Sequence, residues 1–325
     1  MTLEVAARIW RIVVATPWPV GPVNVYVLDD DPLTLIDAPQ RSDASLAELE
    51  KGLALLGRRV EDLERIVITH QHIDHCGLAR TLVDRSGAEL CALAPLADWL
   101  ARYPSSSHDD DEFATTMLRR HGAGGAAAER GSHRGGDHWG APVETTRPLH
   151  DGDLLESAGR SLRVLHRPGH SPTDTVLHDE QSGVAFGGDH VLNWPSSSVM
   201  APPVNGDARN GRPRAFRDYL ASLRATSALD LDTILPGHGD PVEDHRTTIA
   251  ERLTRYARAT ERTAAAVTSE PRTAAEIAAQ LKGSLPDRTA FFVLCEVLGH
   301  LDELIDAGAV SEHVDPDGVS RFATK

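Results

Sequence analysis

The residues of this sequence with the clearest capacity for chemistry are histidines and aspartates that follow runs predicted to be β-strands. One cluster places four candidate metal ligands within six residues, and three later motifs add one each. The seven candidates are His70, His72, Asp74, His75, His170, Asp189 and His238. Imidazole and carboxylate groups bind zinc, manganese and iron, and neighbouring glycines let a loop bend closely around an ion.

Seven ligands are enough for two metal sites. On a loop, His70 and His72 can point one way while Asp74 and His75 point another, and the remaining ligands complete two open sites that share a carboxylate. Two ions held roughly 3.5–4 Å apart can bind both the attacking and the leaving oxygen, and bound water loses a proton near neutral pH. The pattern predicts two divalent ions, zinc first, with iron or manganese as alternatives.

Three residues beside these motifs have weaker assignments. Asp37 can accept a hydrogen bond from a metal-bound histidine, or it can simply stabilise the turn after its strand. His190 can support the centre or contact the substrate, and it can equally be an ordinary loop histidine. Cys76 is better interpreted as a small buried side chain than as an oxidation-sensitive thiol.

The elements that must position these groups are predicted as strands first, then strands alternating with helices, which indicates a layered α/β domain with helices outside the sheets. The expected strands are 9–15, 23–28, 33–36, 65–68, 90–93, 161–166, 175–177, 184–186 and 233–235. The expected helices are 42–56, 78–85, 216–223, 243–269, 273–281 and 289–307.

Segment 105–148 differs from its surroundings, because an acidic run and a Gly/Ala-rich stretch predict an insertion of one or two helices with mobile loops. Its histidines are His108, His121, His133 and His138, and their irregular spacing favours solvated loop positions over a third metal site. The insertion and segment 192–213 are expected to shape the substrate pocket. Trp194 and Tyr219 are candidates to line that pocket, although Tyr219 fits the core equally well.

The sequence divides into a catalytic domain over 1–245 and a helical linker with a small winged-helix-like domain over 246–325. The order helix, helix, hairpin after Pro271 is that of a winged helix. The second of these helices, 289–307, carries four acidic residues, whereas a DNA-recognition helix needs positive charge near phosphates. A role in packing, dimerisation or closing the pocket is therefore favoured.

The amino-acid composition indicates which classes of binding partner and which cellular compartment to expect. The chain has 325 residues, with 48 acidic and 33 basic side chains and a formal charge of −15. Such a surface repels phosphate backbones, so nucleic acid is not expected as a partner. Three scattered cysteines predict a reducing compartment, and neither a signal peptide nor a membrane span is expected. These features predict a cytoplasmic protein.

The order and spacing of the ligand motifs resemble the metallo-β-lactamase fold superfamily over about residues 5–245, and within it the glyoxalase-II-like hydrolases with a C-terminal winged-helix-like domain. The resemblance implies an αββα sandwich with the site at one edge of the two sheets. It also implies His70, His72 and His170 on one ion, Asp74, His75 and His238 on the other, and Asp189 as the bridge. Asp74 could additionally shuttle a proton. His72 favours hydrolysis over the oxygen reductases of this fold, and Asp189 argues against the β-lactamases with a cysteine ligand.

The resulting hypothesis is a dinuclear hydrolase in which a bound hydroxide attacks a thioester, or a related ester or lactone. The acyl substrate could be carried on coenzyme A, glutathione or a carrier protein, and a homodimer is compatible with the sequence. The alternatives are a phosphodiesterase or ribonuclease, against which the negative charge argues, and an iron-dependent oxidoreductase with the same ligands.

Overall fold

In a computed structural model, which describes residues 1–125, 137–194, 213–285 and 289–325, two β-sheets pack face to face with helices on both outer surfaces. The predicted αββα arrangement is confirmed. The sheets meet in an apolar layer to which Tyr26 and Val67 contribute from the first sheet and Val164 and Phe186 from the second.

The first sheet has seven strands that lie in sequence order. Its first four strands pair antiparallel, and from the fourth strand onward all pairs are parallel. Parallel strands end at a common edge, so the loops that follow them gather there. The strands are β1 (Thr2–Ala6), β2 (Ile9–Val14), β3 (Val23–Leu28), β4 (Thr34–Ile36), β5 (Arg65–Ile68), β6 (Glu89–Leu93) and β7 (Arg147–Leu149).

The second sheet has five strands in the order β12-β11-β10-β9-β8. Only β11 and β12 are parallel, and the other neighbours are antiparallel. The backbone amide of Thr175 donates to the carbonyl of Thr69 over 3.0 Å, which joins this sheet to the loop after β5. The strands are β8 (Leu154–Ser157), β9 (Arg160–His166), β10 (Thr175–Asp179), β11 (Val184–Gly188) and β12 (Thr233–Pro236).

Helices cover the outer faces because each presents an apolar stripe to a sheet. Leu49 and Leu82 belong to the core under the first sheet, and Tyr219 and Ile249 to the core under the second. The helices before Pro271 are α1 (Asp43–Leu55), α2 (Ile73–Cys76), α3 (Ala79–Ser86), α4 (Ala94–Arg102), α5 (Ser105–Arg120), α6 (Ala215–Ser227) and α7 (His245–Ala266).

The C-terminal region has the predicted order of two helices and a hairpin, and a short strand, β13, completes a three-stranded sheet in the order β13-β15-β14. The insertion helix α5 packs against this region through Ala114 and Leu118, in one apolar cluster with Phe291 and Phe322. The elements are β13 (Arg272–Thr273), α8 (Ala274–Lys282), α9 (Ala290–Asp306), β14 (Val310–Val314) and β15 (Ser320–Thr324).

All of the predicted strands and helices named above are present, with ends that differ by a few residues. The prediction of a solvated His121 was wrong: the residue is fully buried where α5 meets the C-terminal region, and its ring stacks on Phe322. His133, the Gly-rich turns near it and most of segment 192–213 lie outside the described residues. No helix in the described ranges is both long and apolar enough to cross a bilayer.

Candidate metal centre

The structure brings all seven candidate ligands together at one edge of the two sheets. The loops that carry them follow β5, β9, β11 and β12, so each ligand stands just beyond the carboxyl end of a strand. The ligands form two sets in which the potential donor atoms lie within 4.8 Å of one another. One set is His70, His72, His170 and Asp189, and the other is Asp74, His75 and His238.

Three imidazoles converge in the first set. The Nδ1 atom of His72 lies 3.2 Å from Nε2 of His70 and 2.8 Å from Nε2 of His170. His70 is fully buried and His170 nearly so, whereas His72 is partly exposed. Nitrogen atoms this close in a buried space are typical of a site built to hold a cation.

The second set combines two histidines with a carboxylate. The Nε2 atoms of His75 and His238 are 3.3 Å apart, and Nε2 of His238 lies 3.3 Å from Oδ2 of Asp74. Asp74 and His75 come from the short helix α2, and both contact His238 in the loop after β12. All three residues are buried.

Asp189 lies between the two sets. One carboxylate oxygen, Oδ2, is 3.5 Å from Nε2 of His170 and 3.6 Å from Nε2 of His238. The other, Oδ1, is 3.5 Å from Nε2 of His75. Oδ1 is buried and accepts no hydrogen bond from the residues that the structure describes. The carboxylate of Asp189 therefore faces histidines of both sets.

Hydrogen bonds behind the ligands orient two of the rings. Oδ2 of Asp37 accepts from Nδ1 of His75 over 2.8 Å, and Oδ1 accepts from the backbone amide of Thr69 over 2.8 Å. Nδ1 of His238 donates to the carbonyl of Pro22 over 2.8 Å. A proton held on Nδ1 leaves Nε2 free to bind a metal, which is how outer partners select the tautomer of ligating histidines. Of the two interpretations offered for Asp37, this contact supports hydrogen bonding to a ligand.

The electrostatics of the site suit cation binding. Burial lowers the pKa of His70 well below its usual value, and the adjacent histidines lower it further. Burial acts to raise the pKa of Asp74, but His75 and His238 outweigh it and hold this pKa below its usual value, so the carboxyl stays ionised. Burial acts to lower the pKa of His75, yet Asp189 and Asp37 raise it to about 10. A metal would therefore displace a proton from His75, and such displacement is usual when ions bind protein ligands.

The donor set fits a pair of divalent ions. Neutral imidazole nitrogens and ionised carboxylates are the ligands that zinc, iron and manganese accept. Buried carboxylates without a cation are costly, and Oδ1 of Asp189 has no hydrogen bond within the described ranges that would offset that cost. The residues present therefore fit the predicted cofactor.

Gly237 supports the centre by being small. A Cβ atom at this position would lie 2.5 Å from Oδ1 of Asp189 and 2.5 Å from Cε1 of His75. We expect Gly237→Ala to lower metal affinity about tenfold or more while leaving the secondary structure intact, because it displaces two ligands and touches no core side chain. Metal titration and far-ultraviolet circular dichroism measure the two effects. Gly124→Ala is the matched control, since a Cβ there meets no atom within 4 Å. Equal metal affinity in both variants would show that the ligands tolerate the displacement.

The other residues that the sequence singled out lie outside the two ligand sets. Nε2 of His190 pairs with Oγ1 of Thr226 over 2.9 Å, and the ring packs edge-on against Tyr219. Burial lowers the pKa of His190 to about 3, so it is neutral. These contacts favour a packing role for His190. Tyr219 is fully buried in the core, whereas Trp194 is partly exposed and stacks on His238. Cys76 is buried, as predicted.

Two supporting residues were not identified from the sequence. Thr69 places its hydroxyl 3.0 Å from Nδ1 of His70 and donates its amide to Asp37. Arg252, almost fully buried on α7, donates to the carbonyls of Leu192 and Trp194 over 2.8 and 2.9 Å and so anchors the segment after Asp189. An arginine inside an amphipathic helix gives no signal of such a role, whereas Thr69 directly precedes the first ligand and could have been considered.

Comparison with protein families agrees with this geometry. The model described as "Metallo-beta-lactamase superfamily" matches residues 18–238. A second model, "Metallo-beta-lactamase-like, C-terminal domain", matches residues 260–325. Two crystal structures superpose on nearly the whole chain at 27% identity. They are a metallo-beta-lactamase family protein from Thermus thermophilus (TM-score 0.82, covering 99% of this chain and 100% of that one) and a beta-lactamase domain protein from Burkholderia ambifaria (0.84, 100% and 94%).

Among curated proteins, Bacillus subtilis "Probable metallo-hydrolase YqjP" is 29% identical over 309 residues, covering 92% of this chain and 93% of that protein. The "Acyl-coenzyme A thioesterase MBLAC2" of Gallus gallus is 32% identical over 107 residues, covering 30% of this chain and 32% of that one. The "Atrochrysone carboxyl ACP thioesterase" of Aspergillus fumigatus is 26% identical over 175 residues, covering 54% and 38%. The matches therefore span about a third of each thioesterase.

Proposed function

This chain belongs to the metallo-β-lactamase superfamily, and on that premise we propose that it is a dinuclear, zinc-dependent hydrolase of acyl thioesters. The observation that carries the proposal is the position of Asp189, whose two oxygens face histidines of both ligand sets at 3.5–3.6 Å.

In this proposal each ligand set binds one ion. His70, His72 and His170 would hold one ion, Asp74, His75 and His238 the other, and Asp189 both. Two such ions, when bound, supply the acidity that makes water nucleophilic near neutral pH and that polarises a carbonyl. Asp37 and Pro22 keep the rings of His75 and His238 turned so that Nε2 faces the centre.

Two features favour a thioester as substrate. Relatives named as thioesterases match part of this chain, and their names specify acyl groups on coenzyme A or on an acyl carrier protein. The predominance of acidic residues, with a formal charge of −15, disfavours nucleic-acid substrates. We therefore place acyl thioesters first, and other esters and lactones after them.

The direct test is thiol release from a panel of acyl-coenzyme A and acyl-pantetheine thioesters, measured with the full-length protein before and after treatment with a chelator. We expect release that stops when metal is removed and returns on adding Zn²⁺. Metal analysis should give about two ions per chain. A protein that holds two ions and releases thiol from no member of the panel would contradict the thioesterase proposal and favour lactones. Stoichiometric iron with redox activity would instead favour an oxidoreductase.

A further inference from the structure

Three tryptophans from separate parts of the chain border the candidate metal centre. Trp18 lies in the loop between β2 and β3, Trp139 in the insertion, and Trp194 five residues after Asp189. All three are partly buried, so each leaves part of its indole exposed. We call these three residues the tryptophan rim.

Trp194 stands directly against a ligand. Its ring stacks on that of His238 with centroids 6.2 Å apart and an angle of 30° between the planes. The carbonyl of Trp194 accepts a hydrogen bond from Arg252 over 2.9 Å, so its backbone is held by a buried side chain of α7. This indole is therefore fixed at the edge of the second ligand set.

Trp18 and Trp139 form a contacting pair. Their rings meet edge to face, with centroids 5.4 Å apart. Trp18 belongs to the turn that leads into Pro22, whose carbonyl accepts from His238. On the other side, Gly140, next to Trp139, lies against Cδ1 of Ile73 so closely that a Cβ there would be 2.6 Å away. The segment that carries Trp18 thus continues to Pro22, which contacts His238. The segment that carries Trp139 continues to Gly140, which lies against Ile73, the residue between His72 and Asp74.

Backbone contacts hold the insertion to this edge. The amide of Arg41 donates to the carbonyl of Trp139 over 2.7 Å, and Gly77, just after α2, approaches the same carbonyl. Because Arg41 and Gly77 contact the backbone of Trp139, this part of the insertion lies next to α2, which carries Asp74 and His75. Partly exposed indoles beside a reactive centre provide flat, apolar surface for a ligand at a low entropic cost.

We propose that the tryptophan rim binds the acyl chain of the substrate, and that the preferred substrates carry a medium or long apolar chain. This inference rests on the proposed function. In a thioester the acyl carbons begin at the carbonyl that reacts, so the first methylenes must contact groups that border the metal centre. The rim presents aromatic carbon to them, and burying apolar carbon against it is favourable in proportion to the area removed from water.

The test uses the metal-loaded, full-length protein and two carboxylates, dodecanoate and butyrate, titrated by calorimetry. Both probes offer the same carboxylate to the metals. The ratio of their dissociation constants therefore reports what the alkyl chain of the ligand contributes. We expect dodecanoate to bind the unaltered protein at least about tenfold more tightly than butyrate. Trp18→Ala and Trp139→Ala should each weaken dodecanoate binding about tenfold and leave butyrate binding unchanged.

Controls separate recognition from folding. Phe292→Ala removes a large side chain that is 41% exposed on α9, and it should bind dodecanoate as the unaltered protein does. Trp18→Phe and Trp139→Phe keep an aromatic ring and should weaken dodecanoate binding only two- to threefold. If an alanine variant loses metal or secondary structure, the phenylalanine variants test the inference instead. They are expected to lose two- to threefold in affinity for dodecanoate and none in affinity for butyrate.

Equal binding of the two carboxylates, or unchanged dodecanoate binding in both tryptophan variants, would overturn the inference. The proposed reaction fails in a different way. If dodecanoate binding depends on the rim but no thioester is cleaved, the rim remains an apolar binding site and the thioesterase proposal falls. If thioesters of every length are cleaved equally by all variants, the reaction stands and the rim has no part in selecting the chain.

Discussion

Asp189→Ala should abolish hydrolysis, with a loss of at least about a thousandfold, and should lower the bound metal from about two ions per chain to one or fewer. The reason is that Asp189 faces both ligand sets through a single carboxylate. Removing a shared ligand weakens both sites and costs several kcal/mol of charge stabilisation in the reaction. Turnover of the best thioester and metal content after dialysis are the two measurements.

The matched control is Asp179→Ala, which removes another buried aspartate of the same sheet. Asp179 lies at the end of β10, where it contacts Arg160 and Ser182. This variant should lose thermal stability, because it breaks buried polar contacts, yet it should keep its metal. Two ions and full activity in Asp189→Ala would remove the shared-carboxylate mechanism from consideration.

Asp37→Asn should lower metal affinity about 10- to 100-fold without unfolding the protein. Asp37 has a positive φ of 65°, a conformation that asparagine tolerates well, so the backbone can stay in place. The amide oxygen of the asparagine would keep the hydrogen bond from the backbone amide of Thr69, so its NH2 group would face Nδ1 of His75, where the carboxylate accepted. The imidazole would then carry its proton on Nε2, the atom that faces the centre. Competition titrations with a coloured zinc chelator measure the affinity.

Asp30→Asn is the control for this effect. Asp30 is also buried and also follows a strand of the first sheet, but it pairs with Arg8 and Arg160. Its replacement should leave zinc affinity unchanged. Should Asp37→Asn bind zinc as tightly as the unaltered protein, the hydrogen bond to His75 would serve only to stabilise the turn after β4.

The sequence by itself determined which residues are candidate metal ligands and which elements carry them. The four ligands of the first cluster lie within six residues, so local chain geometry is enough to bring them near one another. The strands before them were predictable because a buried strand is a short apolar run of β-branched residues. Fold class followed from the order of these elements, since few layered arrangements satisfy it.

Only the tertiary structure decided which distant residues meet. The hydrogen bond between Asp37 and His75 joins residues 38 positions apart, and the contact between His75 and His238 spans 163. The same holds for the buried position of His121 and for the contact between Trp18 and Trp139. Hydrophobic periodicity tells which face of an element is buried, but not which element covers it. That choice depends on how whole layers pack, so these contacts have no local signal in the sequence.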